Sequence, residues 1–177
     1  VDDMEFTREV IVIKGPRSAG SLEQSREQVE LSLELRDAMN LAVNMINSIE
    51  DVRSELDSLI PQLKKDSDRV QAESLSQKAQ DISGILYDIH LTGAREDAFR
   101  SPMKLYGRLS ALASDLSGHG VDFQPTDQQR EVGTILNERL KIARNKFDIL
   151  FEQDIPELNK RLKNTDLKIQ TQKEIKS

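Results

Sequence analysis

Apolar residues in the first third of the chain follow a heptad pattern from Leu31 to Leu63, with spacings that alternate between four and three. The members of this heptad seam are Leu31, Leu35, Ala38, Ala42, Met45, Ile49, Val52, Leu56, Leu59 and Leu63. Such spacing places all of them on one face of an α-helix. Leu41, Ile46 and Ile60 widen that face, which favours a multi-helix bundle over a two-stranded coiled coil.

The sequence also indicates where this first helix begins and ends. Ser21 with Gln24 three residues later is the pattern of a capping box, and Pro61 is expected to kink or end the helix. The sequence therefore predicts a helix over about 22–64.

Three further helices are predicted over about 67–91, 102–117 and 126–163. Asp66 or Ser67 begins the second, Ser101 followed by Pro102 begins the third, and Thr126 with Gln129 caps the fourth. The core positions predicted for the fourth helix are Val132, Leu136, Leu140, Ala143, Phe147 and Leu150. Pro156 is expected to bend or restart that helix.

Glycines interrupt three of these helices, at Gly84, Gly107 and Gly133. Each costs about 1 kcal/mol relative to alanine in a helix interior. They either mark close approaches between helices or are simply tolerated.

The N-terminal segment has a different pattern. Glu5 to Lys14 is rich in β-branched residues and stops at Gly15-Pro16, which predicts one strand. Because a single strand cannot satisfy its own backbone, residues 1–16 are interpreted as a strand remnant of an upstream β-sandwich domain. Alternatively, the strand pairs with the alternating residues Leu167, Ile169 and Thr171 near the other end.

Residues 17–177 are interpreted as one helical domain, because the helices are joined by short connections that favour antiparallel neighbours. The predicted fold is all-α: an elongated antiparallel (up-down) four-helix bundle with a short N-terminal β-strand segment.

Composition narrows the possible functions. The 177 residues contain no cysteine, which excludes disulfides, thiolate zinc sites and cysteine nucleophiles. The net charge of −6 argues against a general nucleic-acid binder, since phosphate binding needs a basic face. No apolar run is long enough for a membrane span.

Catalytic chemistry has few candidates. His90 and His119 are the only histidines, and neither follows a glutamate by three residues, as a di-metal bundle site requires. Carboxylate pairs such as Glu30 with Glu34, or Asp51 with Glu55, are interleaved with arginines and are expected to be solvated. We therefore predict no catalytic, cofactor-binding or metal-binding residues.

Three aromatic residues in or near the predicted connections, Phe99, Tyr106 and Phe123, are possible interaction residues. They either anchor a connection to the end of the bundle or contact a partner.

Several segments together resemble a known family. They are Lys14-Gly-Pro-Arg17, Gln28-x-x-Leu31, Leu35-Arg-Asp-Ala-Met-Asn40, Ile49-Glu-Asp-Val-Arg-Ser-Glu-Leu56, Asp122-Phe-Gln-Pro-Thr126 and Asp154-Ile-Pro-Glu-Leu-Asn159. In this order they resemble the C-terminal helical region of bacterial BNR-repeat, sortilin-like β-propeller proteins, which are often labelled glycosyl hydrolases. The chain departs from the family where Gly15 replaces the acid of a common Asp-Pro-Arg.

The resemblance implies a non-catalytic structural or accessory domain of a larger β-propeller protein, exported to the periplasm or beyond. Its partners would be the propeller and sandwich domains of the same polypeptide, and any glycosidase site would lie in the propeller. The alternative is an autonomous helical adaptor that binds a partner helix, or forms a homo-oligomer, through the heptad seam.

Overall fold

The computed structural model describes residues 7–11, 13, 15–16, 20–89, 101–117, 124–162 and 168–170. The protein is all-helical within these ranges, as predicted. The helices are α1 (Leu22–Leu59), α2 (Asp66–Leu86), α3 (Leu105–Ser117), α4 (Asp127–Ile149) and α5 (Ile155–Arg161), with a 3₁₀ turn at Ile60–Gln62 and a π turn at Leu150–Asp154.

The two predicted capping boxes are confirmed. At the start of α1 the Gln24 amide donates to the Ser21 hydroxyl at 3.1 Å, and the Ser21 amide donates to the Gln24 side chain at 2.8 Å. The same exchange joins Thr126 and Gln129 at the start of α4, at 3.2 and 2.8 Å. Both pairs satisfy amides that a helix N-terminus leaves without partners, so they fix where α1 and α4 begin.

Two other predicted boundaries were wrong. The second helix ends at Leu86 rather than near 91, because Tyr87 is extended, with φ −142° and ψ 166°. The third begins at Leu105 and not after Ser101, although Pro102 suits a first helical turn. Met103 is 60% exposed whereas Leu105 is buried, so the helix begins where the chain first reaches the core.

The helices pack around one core, and α1 contacts α2, α3 and α4. Contacts between α1 and α4 keep a constant offset, because Arg130 pairs with Glu27 at one end and Arg144 lies level with Leu41 further along. These two helices are therefore parallel.

Both α2 and α3 run antiparallel to α4. From α2, Lys78 pairs with Asp154 and Asp68 pairs with Arg161, so the residue number rises along one helix as it falls along the other. In α3, Asp115 accepts a hydrogen bond from Gln129 at 2.7 Å, near the start of α4.

Because α2 and α3 point the same way, they follow one another along α1. A strict up-down order would have reversed α3 relative to α2. Residues 87–104 connect two helices that run in one direction. The up-down part of the predicted fold therefore differs from the observed helix directions.

The heptad seam of α1 forms the centre of the core. Its residues from Leu35 to Leu63 are all buried, and Leu41, Ile46 and Ile60 pack against them as partly buried side chains. In α4 the predicted core residue Val132 is 43% exposed, and Gly133 is buried instead.

Gly133 marks a close approach between helices. A Cβ atom there would lie 3.4 Å from Leu31 of α1 and 3.7 Å from Leu112 of α3. At Gly84 a Cβ atom would meet nothing within 4 Å, and at Gly107 its nearest atoms belong to Met103, just before the same helix. Of these three glycines, only Gly133 lies where two other helices meet it.

The π turn adapts the last helix to Pro156. Proline has no amide hydrogen for the ordinary helical bond, and the amide of Ile155 bonds to Leu150 five residues back. The buried positions are Phe151 within the turn and Ile155, Leu158 and Leu162 after it. The core row thus moves on by one residue and continues, and the α-helix restarts at Ile155, next to Pro156.

The predicted N-terminal strand has no strand partner among the described residues, and Val10, Ile11 and Ile13 are about 80% exposed. At the other end, Ile169 is buried and its amide and carbonyl both bond to the Asn159 side chain, each at 2.9 Å. Ile169 therefore docks on α5, and the proposed pairing with the N-terminal strand is not seen in the described part of the chain.

Candidate functional site

A polar cluster joins α1, α3 and α4 at one end of the bundle. The Glu27 carboxylate accepts hydrogen bonds from Arg130 at 2.8 Å and Gln124 at 2.9 Å. The hydrogen bond from Arg130 lowers the pKa of Glu27 below its ordinary value. Gln28 donates to the Leu116 carbonyl at 2.6 Å, near the C-terminus of α3. These groups bond to one another, so the cluster fastens three helices together.

A second polar cluster lies where α2 ends. The Tyr87 hydroxyl donates to Glu50 at 2.8 Å, and Arg53 donates to the same oxygen at 3.2 Å. Burial raises the pKa of Tyr87, and its hydrogen bond to Glu50 raises it further. Tyr87 thus stays a proton donor at neutral pH, which suits tying α2 to α1 and does not suit a general base.

Arg53 makes the second cluster incompletely paired. Its Nε atom is buried without a hydrogen-bond partner among the described residues, although its Nη1 atom binds Glu50. Ser83 Oγ on α2 is likewise buried without one. Such atoms cost free energy in a core.

A groove of about 600 Å³ runs between α1 and α4. Glu34 and Asp37 lie along its α1 side, and Lys141 and Arg144 lie along its α4 side. Asp37 already pairs with Arg36 at 2.7 Å, and Arg144 pairs with Asp148 at 2.8 Å. The groove is therefore an open surface between two helices whose charges are partly neutralised within each helix.

Only one of the predicted interaction residues can be placed. Tyr106 lies in the first turn of α3, is 37% exposed and makes no side-chain hydrogen bond to another described residue. Phe99 and Phe123 lie outside the described residues, as do His90 and His119. Tyr106 therefore remains a candidate contact residue.

The carboxylate pairs are solvated, as expected. Glu30, Glu34 and Asp51 are exposed, and Glu55 accepts a hydrogen bond from the Gln170 amide at 2.5 Å. Within the described ranges no group of three acidic or histidine side chains could hold a metal ion. No helix in that part of the chain is both long and apolar enough to cross a membrane.

Neither polar cluster is predicted by a pattern in the sequence. Glu27 and Arg130 are about a hundred positions apart, and Glu50 and Tyr87 belong to different helices. A charged residue on a helix is ordinarily a solvated residue, so only the packing of the helices identifies these partners.

Comparisons with known proteins found no relative from which a function could be inferred. No family model, curated protein or solved structure matches this chain. The resemblance to β-propeller proteins therefore remains an expectation from the sequence, and function must be argued from the molecule.

Proposed function

We propose that this chain is a non-catalytic structural domain that packs on, or links, the other domains of a larger protein. The observation that carries this proposal is the exposed N-terminal segment. Val10, Ile11 and Ile13 are about 80% exposed next to a bundle whose own core is filled. Exposed β-branched residues on an extended segment are a ready template for pairing with a sheet.

The alternation of the segment describes the sheet that would receive it. Neighbouring residues of a strand point to opposite faces, so in a paired strand Val10 and Val12 would share one face, and Ile11 and Ile13 would share the other. A strand that is apolar on both faces is typical of a sheet that is covered on both sides. In the sandwich domain implied by the resemblance, the second sheet would cover one face of the strand, and the bundle or another domain would have to cover the other. Such a domain would place the chain in an exported β-propeller protein.

The length of the bundle and the bonds between its helices suit a rigid spacer between domains. At 1.5 Å per residue, the 38 residues of α1 give a rod of about 57 Å. Polar clusters fasten it at Glu27 and Glu50, and Asn159 clamps the segment around Ile169. A domain of this kind holds its neighbours at a fixed separation.

The test is hydrogen exchange on the intact natural protein. We expect slow exchange of the amides of residues 7–13 there and fast exchange in the 177-residue chain alone, because sheet pairing protects amides. Ile11→Asp should abolish the protection, while Val70→Asp on exposed α2 serves as the control. Equal, fast exchange in both forms, or a reading frame without an upstream β domain, would refute the proposal.

The alternative of an adaptor that uses the heptad seam meets a physical obstacle. The seam from Leu35 to Leu63 is buried by the other helices of the same chain. A partner helix would first have to displace them and expose that core to water. Any partner of the folded bundle must therefore use another surface.

A further inference from the structure

The side of α4 that faces away from the core is built from three rows of residues, each row with a spacing of seven. We call this surface the outer face. Its central row consists of Ile135, Ile142 and Ile149, which are 45%, 57% and 47% exposed. The rows on either side consist of Glu131, Glu138 and Asn145, and of Val132, Arg139 and Lys146.

Helix geometry fixes these rows relative to one another. Residues seven apart lie almost in line, and those three or four positions from a residue flank it. Around Ile142 this places Glu138 and Asn145 on one side and Arg139 and Lys146 on the other. The outer face is therefore apolar along its middle, acidic along one edge and basic along the other.

A repeating isoleucine row is unusual on the solvent side of a helix. A heptad row of β-branched residues supplies one of the two apolar rows of a coiled-coil seam, and flanking charges of opposite sign set the partner and its direction. The core row of α4, which includes Leu140 and Phe147, lies on a different face and is already buried. The outer face thus has the features of a second contact surface that this chain leaves uncovered in its described residues.

We propose that the outer face binds the outer face of a second copy of this chain, with the two α4 helices parallel. A two-fold axis along the helices brings the acidic edge of each copy against the basic edge of the other. Glu138 then lies beside Arg139 of the second copy, twice by symmetry, and each isoleucine meets its own equivalent.

The charges select this direction. In an antiparallel pair the two acidic edges would face each other and so would the two basic edges, which places Arg139 near Lys146 of the second copy. Like charges in contact destabilise a pair and specify against it.

The existing ion pairs of this chain do not compete strongly. Glu138 lies 3.9 Å from Lys141, and both side chains are mostly exposed, so that pair is weak. Arg139 and Lys146 form no ion pair with another described residue. Both edges are therefore open to a second copy.

The length of the contact sets its strength. The outer face from Glu131 to Ile149 spans about 28 Å of helix, which is at the small end of stable interfaces. The dimer should therefore form in a concentration-dependent way. This inference concerns the bundle alone and does not depend on the proposed function.

Sedimentation of the 177-residue protein tests the interface. We expect the average mass to rise from that of a monomer towards that of a dimer between about 1 and 100 µM, the range of weak interfaces. Ile142→Glu should weaken the dimer at least about tenfold, as loss of a central contact does. Val70→Glu, the same change at a 61% exposed position on α2, should leave it unchanged.

Charge changes test the direction. In the parallel pair Arg139→Glu faces Glu138 of the second copy and weakens the dimer, whereas in an antiparallel pair it would face Lys146 and strengthen it. Mixing Arg139→Glu with Glu138→Arg should restore association, because each altered charge then meets its opposite.

Three results would overturn the proposal: a monomer at every concentration, equal effects of Ile142→Glu and Val70→Glu, or a stronger dimer for Arg139→Glu. A strict monomer would mean that the outer face serves a different partner or none.

Discussion

Two apolar rows run along α4, and only one of them is buried. The inner row, from Leu136 through Leu140 and Phe147, is almost wholly buried against α1, α2 and α3. The outer row of Ile135, Ile142 and Ile149 is about half exposed. Both rows recur at helical spacing on the same helix, so spacing alone does not decide which row the chain buries.

The two rows differ in the size and the charge of the residues beside them. Small residues accompany the inner row, because Gly133 and Ala143 are buried beside it and let other helices approach closely. Charged residues such as Glu138 and Arg139 flank the outer row and keep it at the surface. The inner row therefore holds this chain together, whereas the outer row is free to recognise another copy.

The largest expected effect comes from emptying the inner row at Phe147. This ring is fully buried and stacks on Phe151 with ring centres 4.4 Å apart. Phe147→Ala should lower the free energy of unfolding by about 3–5 kcal/mol, because it leaves a cavity in the core. Urea denaturation at low protein concentration measures this loss.

The matched change in the outer row is Ile142→Ala. It should alter the unfolding free energy of the monomer by no more than about 0.5 kcal/mol, as at other exposed positions. Comparable losses for the two variants would contradict the division between the rows.

A smaller effect is expected at the cap of α4. Thr126→Ala removes the hydroxyl that accepts from Gln129 and should cost about 1 kcal/mol, a typical value for an N-cap. Thr126→Ser keeps the acceptor and should restore most of the loss. If thermal unfolding gives alanine and serine the same midpoint, the cap contributes nothing.

The capping residues also show how far the sequence predicts the fold. Local signals at Ser21 and Thr126 located two helix starts to within one residue, and the heptad seam identified the core of α1. The direction of α3 depends on contacts such as Gln28 with Leu116, which join residues far apart in the chain. Hydrophobic periodicity carries no information on the direction of a helix, so it could not predict that α3 runs in the same direction as α2.

Val132 and Gly133 illustrate the same limit for the core. Hydrophobicity favoured Val132, but Leu31 and Leu112 occupy the space beside Gly133, and only packing shows this. The polar clusters at Glu27 and Glu50 were not predicted, because they too depend on how the helices pack.

Glycine substitutions should sharpen the contrast between buried and open helix surfaces. Gly84→Ala should raise stability by about 1 kcal/mol, the helix-propensity difference, because its Cβ atom meets nothing within 4 Å. Gly133→Ala should gain at least as much, because its Cβ atom would make ordinary van der Waals contacts with Leu31 at 3.4 Å and Leu112 at 3.7 Å. Chemical denaturation compares the two, and a loss of stability at Gly133 would show that the neighbouring helices do not accept a methyl group there.

The smallest expected effect concerns the pH dependence of stability at the Glu27–Arg130 pair, near the start of α4. Because the pKa of Glu27 is lowered in the folded protein, its pair with Arg130 stabilises the fold above the unfolded pKa of about 4.3. That contribution is lost as the pH falls through the lower folded pKa. Glu27→Gln should therefore flatten the decline in unfolding midpoint below about pH 4. An unchanged acid profile would show that the pair is not coupled to folding.

Disulfide cross-linking tests the parallel pairing of the outer faces most directly, since the 177 residues contain no cysteine that would interfere. Single variants Ile135→Cys, Ile142→Cys and Ile149→Cys are oxidised, with Val70→Cys as the control. In the parallel pair each isoleucine meets its own equivalent, so all three outer-face variants should form covalent dimers and the control should not. Cross-linking of Ile142→Cys alone would indicate an antiparallel pair, and yields no greater than the control would show that the outer faces do not meet.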